Sequence, residues 1–218
     1  MEFRTVGDES IRCPILDIEE LSPSDISLSG HFDYDECQVE DVDQVGVRGQ
    51  GSLRHVVLSQ GSLAESRFTD LELMDVAFRQ VSLPNSSWER VTARRVEVID
   101  CQAVGLQLGV TRAEDFYFEG CRLDYSNVDI EQHRGIIVFY RCTFKEAVLG
   151  GDLSKMVFSE CDFKGAEFQA RNAMNCDLTR SFLRGASGLL TMTGAVITGE
   201  QAMALSGQLA AEIGFVVT

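Results

Sequence analysis

The chain has 218 residues, 44% of them apolar, with 34 Asp and Glu against 19 Lys and Arg, for a formal net charge of −15. That apolar content suffices for one elongated domain and argues against a disordered chain. No apolar run approaches a membrane span, and the negative charge would repel phosphate, so neither a membrane protein nor a nucleic-acid binder is expected.

Residues 1–25 read as an arm capping the first coil of the domain that follows. Pro14, Pro23 and the run Ser22-Pro23-Ser24-Asp25 interrupt regular structure. The opening MEFRTVGDESIRC has no basic-then-apolar signal region, which points to the cytoplasm. Acid is concentrated here: residues 1–50 hold thirteen Asp/Glu and three Arg, a balance of −10, whereas 51–100, 101–150 and 151–218 carry −1, −2 and −2. Glu19-Glu20 begin this acidic stretch. Asp33, Asp35, Glu36, Glu40, Asp41 and Asp43 are the candidate partner-binding residues, an anionic surface for a cationic partner. The plainer reading of the same carboxylates is a solvated face that blunts an exposed sheet edge.

From Leu53 to Val128 every fifth residue is apolar, sixteen in succession, and the frame resumes at Leu153, Phe158, Phe163, Phe168, Ala173, Leu178 and Leu183. A period of five matches neither a helix nor a strand. A second apolar residue often stands two places earlier, as in Val56/Leu58, Val76/Phe78 and Val96/Val98, giving a short in-out-in strand. Burying two residues and turning a corner every five closes a coil of about twenty, which must stack on its neighbours. Two frame slips interrupt the series. Phe32, Cys37, Val42 and Val47 fit a frame shifted by one, and Phe139, Phe144 and Leu149 follow a second slip near Gly135. Glycine-bearing bulges explain both, with partner-touching loops as the functional alternative.

Cys101, Cys121 and Cys161 fall on the inward small-residue position, and Cys142 takes the equivalent place in the slipped segment. They read as a file of reduced thiols in the core rather than a disulfide framework. No CxxC occurs and the three histidines are dispersed, so no metal or other cofactor is expected. Trp88, at a central inward position, reads as core.

Residues 189–218 form a C-terminal module. Thr198 and Gln201 fit a capping box, Ala202, Leu205, Leu209 and Ile213 mark one helical face, and Gly214 ends the helix before an extended tail. It can cap the last coil or join two protomers. Leu205, Leu209, Ile213, Phe215 and Val217 are the candidate dimer contacts.

Cys161-Asp162-Phe163-Lys164-Gly165, Ala166-Glu167-Phe168-Gln169-Ala170 and Cys176-Asp177-Leu178-Thr179-Arg180 resemble pentapeptide repeats: a small residue, Asp or Asn, Leu or Phe, then two polar or small residues. The resemblance implies an all-β fold, a right-handed quadrilateral β-helix over residues 26–188 with about eight coils and a C-terminal α-helical cap. It is tightest in the C-terminal third, since Ala77, Ser87 and Gln102 occupy the Asp/Asn position earlier. The segment from Gly194 onward is similar to that by which mycobacterial-type members pair tail to tail, which implies a homodimer. The quinolone-resistance Qnr and MfpA group of this family implies a non-enzymatic DNA mimic that binds DNA gyrase or topoisomerase IV and modulates it or protects it from antibiotics. No GxSxG, HExxH, P-loop or GxGxxG constellation offers an enzyme. The alternative is a scaffold or adaptor with another protein partner. A continuous acidic stripe favours mimicry, whereas outward arginines such as Arg54, Arg94 and Arg134 and a single acidic tip favour the adaptor.

Overall fold

The computed structural model describes residues 2–216. The period of five becomes four short sides per coil, and the chain stacks about eight coils into a β-solenoid closed by one helix. Register follows the repeat: Val56 pairs with Val76, Val76 with Val96, and Val96 with Phe116, all in parallel. Such a coil has no core of its own, so each rung is stabilised by the rung above and below it.

The central residues fill the interior. On the second side Phe118, Phe139 and Phe158 stack face to face, with centroids 4.5 and 5.2 Å apart. On the third side Phe144 and Phe163 do the same at 5.1 Å and 6°. These separations match the spacing of hydrogen-bonded strands, about 4.8 Å, so on these rungs each ring rests on the next. Trp88 is buried between Phe68 and Phe78, as core. Cys101, Cys121, Cys142 and Cys161 are buried free thiols on successive rungs of the third side, and Ser181 continues the file. Their hydrogens go to nearby carbonyls, as from Cys121 Sγ to Val98 O at 3.2 Å.

Both slips are irregularities of register. The first differs from the sequence expectation. Tyr34 pairs with Leu53 and Val39 with Leu58, while Phe32, Cys37 and Val42 pair with Gly51, Val56 and Gly61. Phe32, Cys37 and Val42 thus hold the earlier inward place of each unit rather than the central one. The swap works because a Cβ on Gly51 would lie 1.8 Å from Phe32 O, and one on Gly61 2.2 Å from Val42 O. Gln44 turns back to the entering chain, its amide accepting from Leu28 N and donating to Ile26 O. The second slip is a register shift between Arg134 and Ile137.

The arm departs most from expectation. It does not sit over the first coil: strands β1 (Phe3–Val6) and β2 (Glu9–Arg12) form an antiparallel hairpin lying lengthwise on the second side. Val6 and Ile11 pack on Tyr117, Val138 and Val157, with Ile136 of the slipped segment alongside. Further along, Leu16 and Leu21 pack on Val57 and Ala77. Only Ser22–Pro23 (β3) pairs with the first coil, opposite Cys37 and Gln38. The physical cause is an apolar row on the outside of the shaft, Val57, Ala77, Tyr117, Val138 and Val157, which would be wet without the arm.

At the other end the helix α1 (Gly199–Glu212) begins with the capping box of Thr198 and Gln201. It ends with Gly214 at φ 94 and Phe215 N donating to Ala210 O at 2.9 Å.

Candidate functional site

The six acidic candidates all lie on the first coil and all are exposed. Asp33, Asp35 and Glu36 occupy the first side and its corner, Glu40 and Asp41 the second, and Asp43 the third, so they form a collar rather than a stripe. Their environments divide them. Arg54 on the next rung reaches Asp33 at 3.0 Å and Asp35 at 3.4 Å, and His55 Nδ1 lies 2.9 Å from Asp35. The Ser52 hydroxyl, and then Arg54, hold Asp33 below the usual carboxylate range, and His55 followed by Arg54 does the same for Asp35. These two carboxylates tie the first coil to the second. Glu40 accepts a hydrogen bond from Gln38 Nε2 at 3.2 Å. Among the described residues Glu36, Glu40, Asp41 and Asp43 form no ion pair. The arm adds Asp17, Glu19 and Glu20, exposed in the turn that leads into β3 beside the collar.

Along the shaft the surface is mixed. Arg90 pairs with Asp70 at 2.6 Å, Arg94 with Glu114 at 3.4 Å and Arg141 with Glu160 at 3.0 Å. Under the arm the corner file of the first side becomes a buried charge ladder: Asp75 and Arg95 face each other at 2.5 Å, with the Ile15 amide also donating to Asp75. Arg12 joins Glu114 and Asp115 there, and Arg4 bridges Glu97 and Glu119 across the Tyr117 ring. The paired charges and this cover explain how carboxylates such as Asp75, Glu97 and Asp115 are tolerated at near-complete burial.

The C-terminal candidates also divide. Leu205 is 5% exposed and belongs to the core, and Leu209 packs against it, so both serve to close the last coil of their own chain. Gln201 Nε2 fastens the helix to Leu178 O and Ser181 O, each at 2.8 Å. Ile213 and Phe215 are 58% and 66% exposed and remain available to a second copy, together with Met203 and Val216. Val217 lies outside the described residues. Sequence reasoning missed Met203, whose exposure follows from its place on the helix face opposite Leu205.

The architecture is that of a β-solenoid with four five-residue sides to each coil and a C-terminal helix. No family description matches the sequence, and no curated protein does. Among solved structures, two trypsin-treated forms of QnrB1, a plasmid-mediated fluoroquinolone resistance protein, match at 20% and 21% identity. Each alignment covers 82% of this chain and 95% of that one, with TM-scores of 0.38 and 0.37. Full-length QnrB1 matches at 15% identity over 79% of this chain and 99% of that one, with a TM-score of 0.25. Among the described residues no helix is long and apolar enough to cross a membrane.

Proposed function

We propose that this protein is a non-enzymatic cytoplasmic DNA mimic that binds a type II topoisomerase, DNA gyrase or topoisomerase IV, and modulates it or shields it from antibiotics. The carrying observation is the collar of Glu36, Glu40, Asp41 and Asp43, exposed carboxylates that the fold uses for no ion pair among the described residues. The pentapeptide pattern in the sequence supports the same reading. Two protomers joined through Ile213 and Phe215 would make a rod of about 75–80 Å, at about 4.8 Å per coil. Its charge would be twice −15, that is −30. In that arrangement the acidic collars stand at the far tips.

A second reading follows from the mixed shaft, and a collar at one end in place of a continuous acidic stripe is the charge geometry that favours it. Because Arg90, Arg94 and Arg141 neutralise neighbouring carboxylates, one acidic tip on a neutralised rod also suits an adaptor for a basic protein. Gyrase supercoiling with and without a gyrase poison separates the two. Wild type should alter the reaction, and a variant carrying Glu36→Gln, Glu40→Gln, Asp41→Asn and Asp43→Asn should do so much less, with an unchanged circular-dichroism spectrum. Purified protein that neither binds gyrase at low salt nor changes supercoiling leaves the adaptor.

A further inference from the structure

The C-terminal half of the third side carries a charge pattern opposite to that of the collar. Glu146 N donates to Lys164 O and Gly165 N to Arg184 O, which sets Lys145, Lys164 and Arg184 in one file on three successive rungs. Like charges on directly neighbouring strands oppose each other. On other sides several cations stand beside carboxylates, as Arg90 on Asp70, Arg94 on Glu114 and Arg95 on Asp75, although Arg48 also faces Arg67. Here Asp162 reaches Lys145 at 3.8 Å, but among the described residues neither Lys164 nor Arg184 has a carboxylate within ion-pair distance. Both are exposed. Stacking them stabilises nothing in the fold.

The file runs into a cavity of about 500 Å³ between the last rungs and helix α1. It is lined by the apolar Phe182, Leu183, Ala204 and Leu205 together with polar groups that include Arg184 and the acidic Glu200. Phe182, 69% exposed, stands on the side-chain row next to the cations, where the repeat otherwise places Arg122, Thr143 and Asp162. An apolar ring at that place, beside a cavity lined in part by apolar side chains, is suited to an apolar anchor.

We propose that this groove docks an acidic protein segment carrying one aliphatic or aromatic anchor, the anchor entering between Phe182 and α1 and its carboxylates lying along Lys164 and Arg184. The local positive charge of Lys164 and Arg184 selects the acidic class, and the apolar side chains beside them select a peptide with an apolar anchor over a nucleic acid. The groove lies at the opposite end from the collar and works independently of it.

The test is fluorescence anisotropy with a short fluorescein-labelled peptide of one leucine flanked by glutamates. A glutamine-flanked copy and a labelled oligothymidylate serve as comparisons. The glutamate peptide should bind the full chain with an affinity that falls as salt rises. Lys164→Glu with Arg184→Glu should weaken it by about tenfold or more, and Phe182→Ser by about tenfold, at unchanged melting temperature. Equal binding of the glutamine peptide, preference for the oligothymidylate, or indifference to either variant overturns the proposal. So does an absence of binding at low salt.

Discussion

Replacing Phe158 by Ala tests the stacking of the shaft directly. Its ring is 1% exposed and lies 5.2 Å from Phe139 at an interplanar angle of 6°, 5.2 Å from Phe163 and 6.0 Å from Phe144. Removing a fully buried phenylalanine costs about 3–5 kcal/mol, because lost burial and the residual cavity add. The three ring contacts place this site toward the upper end, since each aromatic pair contributes about 0.5–1.5 kcal/mol beyond area. A domain of this kind has only about 5–15 kcal/mol in reserve. The loss should also be local, because each rung depends on its neighbours. Hydrogen exchange should therefore accelerate most in residues 138–183 and least in 53–80, and the thermal transition should fall or split. Lys164→Ala, on the outside of the same coil, should leave both unchanged. Equal melting of the two variants, or uniform loss of protection along the chain, refutes the stacked-rung account.

Ile11→Asp should free the arm while leaving the solenoid intact, because Ile11 packs outside the main core against Tyr117, Val138 and Val157. Limited proteolysis should then cut within residues 2–21 many times faster, with far-ultraviolet dichroism nearly unchanged; an equally protected arm rejects the assignment. At the other end, Ile213→Glu with Phe215→Glu should yield monomers at unchanged stability if the exposed tail joins two copies. Leu205→Glu should instead destabilise the last coil, by several kcal/mol for a buried unpaired charge, and light scattering with melting curves distinguishes these effects. Acid should loosen the N-terminal coils. Ser52 with Arg54 lowers Asp33, His55 with Arg54 lowers Asp35, and Arg90 lowers Asp70, so their stabilisation is present above about pH 4. It is lost as pH falls through the depressed values in the folded protein, and urea midpoints that stay level or rise from about pH 5 to 3 contradict this.

The shaft was legible because its signal is one-dimensional. Leu53, Leu58, Leu63 and Phe68 declare four sides by spacing alone, and Thr198 with Gln201 declares a helix start by chemistry within one turn. The first coil was misassigned because Phe32 and Val42 are the bulky members of their units, and only pairing shows that Gly51 and Gly61 make room for them. The arm was illegible for the same reason: its partner surface is spread over Val57, Ala77, Tyr117, Val138 and Val157, each one or two coils from the next and on the outward place of the unit where polar residues are the rule. Scanning that outward place for apolar residues would have found it. Val6, Ile11, Leu16 and Leu21 carry the period of five into the arm itself. For the candidate site, the sequence shows acid concentrated in the arm and first coils, but not that the six carboxylates share one coil or that Arg54 divides a held pair from the rest. It also could not tell Leu205, turned into its own chain, from Ile213.

A stack of interchangeable coils is free, in principle, to gain or lose one by duplication or deletion of twenty residues. The arm removes that freedom over part of the length. Arg12 is engaged at Asp115 and the Ile15 amide at Asp75, two rungs apart along the same corner. Three residues of extended backbone reach about 10 Å and two rungs rise about 10 Å, with the Arg12 side chain adding its own length, so the segment spans the two anchors with limited slack. One rung more or one fewer would set Arg12 beside a different member of that corner file, Arg95 being the neighbour of Asp75 on it. The hairpin is in effect a gauge laid along the shaft, fixing the count of coils between Asp75 and Asp115. Variation in length among related chains should therefore avoid the rungs between Asp75 and Asp115.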